Sequence, residues 1–268
     1  MASSAVRADT RERGDLRGDG DPAPLRVDGN GPAVLAIHGF GGTPQEVALV
    51  VEAAQAAGLA AHAPLLAGHG TTVAALAASR WEDWAESAEQ ALKSVTQEHD
   101  RAIVVGLSLG SLLATHLALS RPERVVALGL LANAFWLMSP FPSWALAAVD
   151  RFGIPDFSLP KVTADIADPE ARRTHLTLSA QPVHAAVDVW SAGKRLRERL
   201  GELHFPTLIL HGARDRVCPS ANAGRVAARL GTTDPKVRVL WRSRHIITRD
   251  LERALVREEL VEFFLRLR

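Results

Sequence analysis

The sequence predicts an α/β fold, a mostly parallel sheet flanked by helices and carrying a small cap insertion. Three observations point to it. Short apolar runs alternate with longer stretches of helical spacing along most of the chain. Those runs are continuously apolar, as strands covered on both faces are, rather than alternating. One of them, Ala102–Val105, passes into the helix-forming run Leu109–Leu119 through Gly106-Leu107-Ser108-Leu109-Gly110. Strand, tight turn and helix in that order are the setting of a nucleophile elbow, whereas a lone G-x-S-x-G would equally suit a helix-capping serine.

The elements follow in order. Ala33–Ile37 reads as a buried strand that ends in the loop His38-Gly39-Phe40-Gly41-Gly42-Thr43-Pro44. Residues 45–57 have helical composition and stop at Gly58, a C-terminal cap. Leu59–Pro64 is the next strand, followed by a loop over 65–72 around Gly68-His69-Gly70. Trp81, Trp84, Ala88, Ala91, Leu92 and Val95 give a helix its apolar stripe. Val125–Leu131 is a further strand. After an interruption the rhythm resumes with strand Thr207–Leu210, a helix over 221–230, strand Val237–Leu240 and a helix over 251–265.

The interruption, residues 133–199, holds Phe135, Trp136, Met138, Phe141, Trp144, Phe152, Phe157 and Trp190, divided by six prolines. It reads as a cap over the carboxyl ends of the strands. Residues 25–132 and 200–268 then form the core, and residues 1–24, rich in Arg, Asp, Gly and Pro, a flexible arm. A chain of 268 residues suits one main core with an insertion.

Composition removes several function classes. Lys and Arg number 31 against 30 Asp and Glu, a net charge of +1, so no global field favours nucleic acid or an anionic membrane. No apolar run reaches membrane-spanning length, and no signal-peptide stretch opens the chain, so a cytoplasmic enzyme is expected. The single cysteine, Cys218, excludes an internal disulfide. The histidines form no compact ligand motif, and the glycine loop lacks both G-x-G-x-x-G and the Walker lysine. No metal and no cofactor is expected; the oligomeric state stays open.

Two later residues complete a chemistry. Asp215 lies just beyond the strand at 207–210, and His245 just beyond the strand at 237–240. Serine, acid and base in that order, each at a strand end, suit this architecture. A serine hydroxyl is a weak nucleophile near neutral pH, so His245 is expected to take its proton and later protonate the leaving group. Asp215 is expected to hold the other ring nitrogen and stabilise the imidazolium. The backbone amides of Phe40 and Leu109 are the candidate donors to the oxyanion. His38 is read as tying loops together.

With these residues in place, the chain resembles the α/β-hydrolase superfamily, and within it bacterial carboxylesterases and monoacylglycerol lipases. The likeness spans roughly residues 30–268. It rests on His38-Gly39-Phe40-Gly41-Gly42-Thr43, Gly68-His69-Gly70, Trp81 with Trp84, the elbow, Pro206–Asp215, and His245 with Ile246, Ile247 and Thr248. The resemblance implies an eight-stranded sheet whose second strand is antiparallel, with Ser108, Asp215 and His245 as the triad. It also implies cleavage of monoacylglycerols or short- to medium-chain carboxylic esters through an acyl-enzyme, without a cofactor. Two positions depart from the branch, which usually has glycine where this chain has Ser111 and Arg244. These two, with His69, Phe135, Trp136 and Met138, are the candidate substrate contacts. The expected partner is a small ester or single-chain lipid. The alternatives are a related serine hydrolase acting on thioesters, lactones, amides or carbon–carbon bonds, and a noncatalytic ligand-binding protein on the same scaffold.

Overall fold

The computed structural model describes residues 14–138, 148, 157–161 and 163–268. Eleven strands occur among them: β1 (Leu16–Arg17), β2 (Leu25–Val27), β3 (Asn30–Ile37), β4 (Leu59–Ala63), β5 (Ala102–Leu107), β6 (Val125–Leu131), β7 (Ser158–Pro160), β8 (Thr177–Leu178), β9 (Ala180–Pro182), β10 (Thr207–Gly212) and β11 (Lys236–Leu240). The main sheet runs β11-β10-β6-β5-β3-β4-β2. Every neighbouring pair in it is parallel except β2 on β4.

The antiparallel strand is second in chain order, as expected, but the sheet has seven described strands rather than eight. β1, ahead of β2, belongs to a separate two-stranded sheet. Leu16 and Arg17 pair with Leu178 and Thr177 of β8, inside the 133–199 segment. The Asp15 amide donates to Thr71 O and the Asp19 amide to Thr174 O. Residues from Asp15 onward, expected within a flexible arm, are therefore tied to the body by backbone hydrogen bonds.

Eight helices accompany the strands among the described residues: α1 (Ala48–Ala56), α2 (Val73–Ala78), α3 (Trp81–His99), α4 (Leu109–Ser120), α5 (Pro169–Thr174), α6 (Val183–Arg197), α7 (Asn222–Ala227) and α8 (Arg253–Leu265). Short α2 falls in a stretch the sequence reading left without an element; the Thr72 hydroxyl caps it by accepting from the Ala75 amide at 3.0 Å.

The uninterrupted apolar runs follow from two separate cores. Leu35, Ile37, Ala102 and Val104 face one side of the sheet, with Trp84, Leu92, Leu112 and Leu113. Val34, Ala36, Ile103, Val105 and Leu107 face the other, with Val50, Ala54, Leu260 and Phe264. Both faces of each central strand are buried, so alternation has nothing to mark. Parallel pairing aligns the strand ends, with Ile37 beside Gly106 and Leu107 beside Leu131. The loops after β3, β5, β6, β10 and β11 consequently gather at one edge, where ligand sites of open parallel sheets form.

Candidate active site

Ser108 occupies the turn between β5 and α4 with φ 55° and ψ −115°. A non-glycine residue with positive φ is a local strain that surrounding structure must hold in place. Here its amide donates to Leu131 O at 2.9 Å, and the glycines on each side permit the fold-back. A Cβ on Gly106 would stand 1.9 Å from Gly110 O, and one on Gly110 would stand 2.1 Å from Ile37 O. Only hydrogen fits at either place, which is the physical content of the G-x-S-x-G pattern.

Folding brings the three expected side chains into one hydrogen-bonded row. His245 Nε2 lies 2.9 Å from Ser108 Oγ, and His245 Nδ1 lies 2.8 Å from Asp215 Oδ2. An ionised carboxylate can only accept, so Nδ1 carries the proton and Nε2 is free to accept from the serine hydroxyl. Asp215 is itself fixed, its Oδ1 accepting the Val217 and Cys218 amides, each at 2.8 Å. His211 Nε2 approaches Oδ2 at 3.1 Å from the base of the loop.

The charges are set by this neighbourhood. Burial alone would raise the Asp215 carboxyl, but His245 and His211 beside it hold it far below the usual carboxylate range. Burial likewise lowers His245, and Asp215 outweighs it, so the imidazole is a stronger base than an ordinary histidine. Asp165 and Glu46 add to that rise.

The glycine loop after β3 comes up against the elbow, where a Cβ on Gly39 would stand 3.4 Å from Ser108 Cβ. His38 ties loops together: its Nδ1 lies 2.9 Å from Gly39 O, while its Nε2 accepts the Leu66 amide at 3.2 Å. On the other side of the nucleophile, Leu109 opens α4, so its amide has no carbonyl one turn earlier to bond. Phe40 follows Gly39 in that loop and Leu109 follows Ser108 in the chain, so both stay the candidate oxyanion donors.

A metal does not suit this cluster. Asp215, Cys218 and His245 offer ligand atoms within 4.8 Å of one another. The carboxylate and imidazole are already engaged with each other, however, and burial pushes the Cys218 thiol up, away from the thiolate a metal would need.

Several candidate contacts lie elsewhere than expected. Ser111 is fully buried; its hydroxyl donates to Ser108 O at 2.6 Å and accepts the Ala134 amide at 3.2 Å. It braces the elbow instead of facing a substrate. Arg244 directs its guanidinium to Ile166 O at 3.5 Å, alongside the backbone it follows. Phe135 is a core residue, buried on the α4 face of the sheet. Trp136 is half-buried against the same core, with the Arg197, Arg225 and Arg229 guanidiniums 5.3, 5.6 and 5.2 Å from its ring centre. His69 is buried edge-on to Phe40 and Trp84. Its Nδ1 lies 2.9 Å from Ala67 O, and burial and His38 lower its pKa to about 3, so it is a neutral loop-ordering residue. Met138 is exposed and joined by its amide to Val217 O at 2.8 Å, beside the acid loop. Phe141, Trp144 and Phe152, named above for the cap, lie outside the described residues.

Four residues that the sequence reading did not single out for the site support it. His211 sits four positions before Asp215, a spacing that the strand end makes visible in hindsight. Asp250, fully buried, accepts the Ala167, Asp168, Arg244 and Leu251 amides. Asp165 O accepts both the His245 and Ile246 amides, at 3.1 and 3.2 Å, while its Oδ2 accepts the Arg216 amide at 2.8 Å. Glu46, also buried, accepts the Gly39 amide at 2.9 Å. The two aspartates pin the base and acid loops to residues 165–168.

Residues 30–252 match the family model described as serine aminopeptidase, S33 (Hydrolase_4). A thermostable monoacylglycerol lipase of Bacillus sp. (strain H-257) is 27% identical, over 88% of this chain and 91% of that protein. The pimeloyl-[acyl-carrier protein] methyl ester esterase of Aromatoleum aromaticum is 29% identical, over 75% of this chain and 86% of that protein. Among solved structures, one from work on the metagenome-derived lipolytic enzymes LipS and LipT superposes with a TM-score of 0.84 at 29% identity. It covers 91% of this chain and 98% of its own. Among the described residues no helix is long and apolar enough to cross a membrane.

Proposed function

The chain belongs to the serine aminopeptidase S33 family of the α/β-hydrolase superfamily, and from that premise we propose how it hydrolyses carboxylic esters. Ser108 is the nucleophile, His245 the general base and acid, Asp215 its orienting carboxylate. The single observation that carries the reading is the unbroken row of contacts from Ser108 Oγ through the imidazole to Asp215 Oδ2, at 2.9 and 2.8 Å.

The reaction follows from that row. Ser108 Oγ attacks the ester carbonyl carbon as its proton passes to His245 Nε2. The carbonyl oxygen becomes an anion facing the Phe40 and Leu109 amides, where each preorganised donor is worth roughly 2.7–4 kcal/mol in the chemical step. The C–O bond to the alcohol breaks as Nε2 returns the proton to the departing oxygen, leaving an acyl-Ser108. Water then attacks the acyl carbon, again giving its proton to Nε2. Collapse of the second tetrahedral species releases the acid and returns the proton to Ser108 Oγ.

The substrate class is a monoacylglycerol or another short- to medium-chain acyl ester. Relatives named for a monoacylglycerol and for a methyl ester support it. We take residues 133–199 as the cap, with exposed Met138 as its candidate substrate contact. A cytoplasmic site of action fits a chain whose one cysteine is a buried, free thiol.

Replacing Ser108 with alanine tests the reading. Turnover of p-nitrophenyl butyrate and of 1-monoacylglycerol should fall roughly a million-fold, to background, with the far-UV spectrum unchanged. A fluorophosphonate should label the wild type at Ser108 and leave the variant unlabelled. Esterase activity persisting in the folded variant would sink the mechanism.

A further inference from the structure

Glu46 is a buried carboxylate that the reaction above does not use. Glu46 lies in the turn Pro44–Val47 that follows the glycine loop, with 2% of its surface exposed. Its Oε2 accepts the Gly39 amide at 2.9 Å, and its backbone carbonyl accepts the Thr248 hydroxyl at 2.5 Å. Its Oε1 stands 3.1 Å from His175 Nε2, and burial lowers the His175 pKa. Burial alone would raise the Glu46 carboxyl, but His175, then Lys161 and His38, hold it at about 2. The carboxylate stays charged inside the protein, a costly choice unless the charge is used.

Both His175 and Lys161 come from the segment read as the cap, and that segment reaches the glycine loop a second way. Lys161 Nζ donates to Thr177 Oγ1 at 2.8 Å, and the Thr177 hydroxyl donates to Gly41 O at 2.9 Å. The Leu178 amide donates to the same carbonyl at 3.0 Å. On the core side, Gly39 O accepts the Gly42 amide at 3.2 Å and lies 2.9 Å from His38 Nδ1.

These bonds surround a single peptide group. In a trans peptide the carbonyl of Gly39 and the N–H of Phe40 point in opposite directions. Holding Gly39 O against His38 and Gly42 therefore turns the Phe40 amide away from both. Glu46 fixes the peptide before it through the Gly39 amide, and Thr177 with Leu178 fix the Gly41–Gly42 peptide, two further along the loop. We propose that Glu46, in contact with His175 and bonded to the Gly39 amide, is a positioning residue for the oxyanion hole. It clamps the Gly39 amide so that the Phe40 amide keeps its aim, and it makes residues 161–178 part of the frame of the hole. This rests on the ester-hydrolase reading and deepens it.

The clamp acts on the transition state, so its loss should appear in kcat and spare KM. In the full-length enzyme, Glu46→Ala should lower kcat for p-nitrophenyl butyrate roughly 10- to 100-fold, with KM within about twofold. A boronic acid, which mimics the tetrahedral species, should lose affinity by the same factor. Glu46→Gln keeps an acceptor for Gly39 and should restore kcat to within about fivefold of wild type. Rates are taken per folded molecule, judged by near-UV circular dichroism. If Glu46→Ala does not fold, Thr177→Val removes only the hydroxyl bond to Gly41 and should still lower kcat about threefold or more. A purely structural role would lower Tm and leave kcat and boronate affinity within twofold of wild type in every variant that folds; that result overturns the clamp alone. A wild type that neither hydrolyses esters nor labels at Ser108 overturns the clamp together with the reading beneath it.

Discussion

The Ser108 elbow and the 163–178 segment hold the same site by different means. At the elbow the constraint is local and steric: five consecutive residues, two of them glycines with no room for a Cβ, force the serine to positive φ. In the 163–178 segment the constraint is distant and polar. Asp165 binds backbone amides of the base and acid loops across more than fifty residues of sequence, Asp250 of the base loop binds the Ala167 and Asp168 amides in return, and His175 and Thr177 reach the glycine loop and the turn after it. The nucleophile is thus shaped by what its own turn excludes, and its partners are aimed by hydrogen bonds from elsewhere. A segment expected to cover the substrate also serves as a bracket for the machinery.

If that contrast is right, steric damage at the elbow should be the most severe. Gly110→Ala would drive a methyl group against the Ile37 carbonyl, with the His38 carbonyl 2.9 Å away. Backbone cannot yield there without opening the β3–β5 pair, so the expected cost is about 3 kcal/mol or more. Thermal denaturation should show a large fall in Tm, with esterase activity lost in parallel. A variant as stable and active as wild type would mean that the tight approach is not what shapes the turn.

Polar damage at the bracket should be milder and graded. Asp250→Ala leaves four part-buried amides without their acceptor, a loss of roughly 3 kcal/mol after water enters in part. The His245 loop loses its register at Arg244, so kcat should drop about tenfold or more. Asp250→Asn keeps one acceptor oxygen and should fall between the alanine variant and wild type on both measures. If the two variants behave alike, number of acceptors is not what matters at this position.

The same contrast explains what the sequence disclosed. Strand Val125–Leu131, the elbow and the Asp215 and His245 strand ends were readable because each is written in adjacent residues or in a period. Glu46 and His175 were not, since 129 positions separate them and a buried glutamate looks like a surface one until its partners are known. Ser111 misled for a related reason. Its place one turn into the helix suggested a substrate contact, yet the hydroxyl is already engaged at 2.6 Å with the serine carbonyl below it. The pairing of Leu16 and Arg17 with β8 is likewise one that composition does not reveal.

The smallest expected effect separates charge from geometry within the bracket. His245 must be neutral to accept the Ser108 proton, so kcat/KM should fall as pH drops through its pKa. Burial lowers that pKa, Asp215 more than reverses the effect, and Asp165 adds to the rise. The acid limb of the wild-type profile should therefore lie above about 6.5, the value of an unperturbed imidazole. Asp165→Asn removes the charge but leaves the residue's backbone carbonyl for His245 and Ile246, and an amide oxygen for Arg216. The geometry should hold, the histidine should lose one source of stabilisation for its protonated form, and the limb should move to lower pH while the plateau rate stays near wild type. A limb that does not move would show that Asp165 acts through its hydrogen bonds alone; a fall in the plateau would show that the carboxylate is needed to hold the loops.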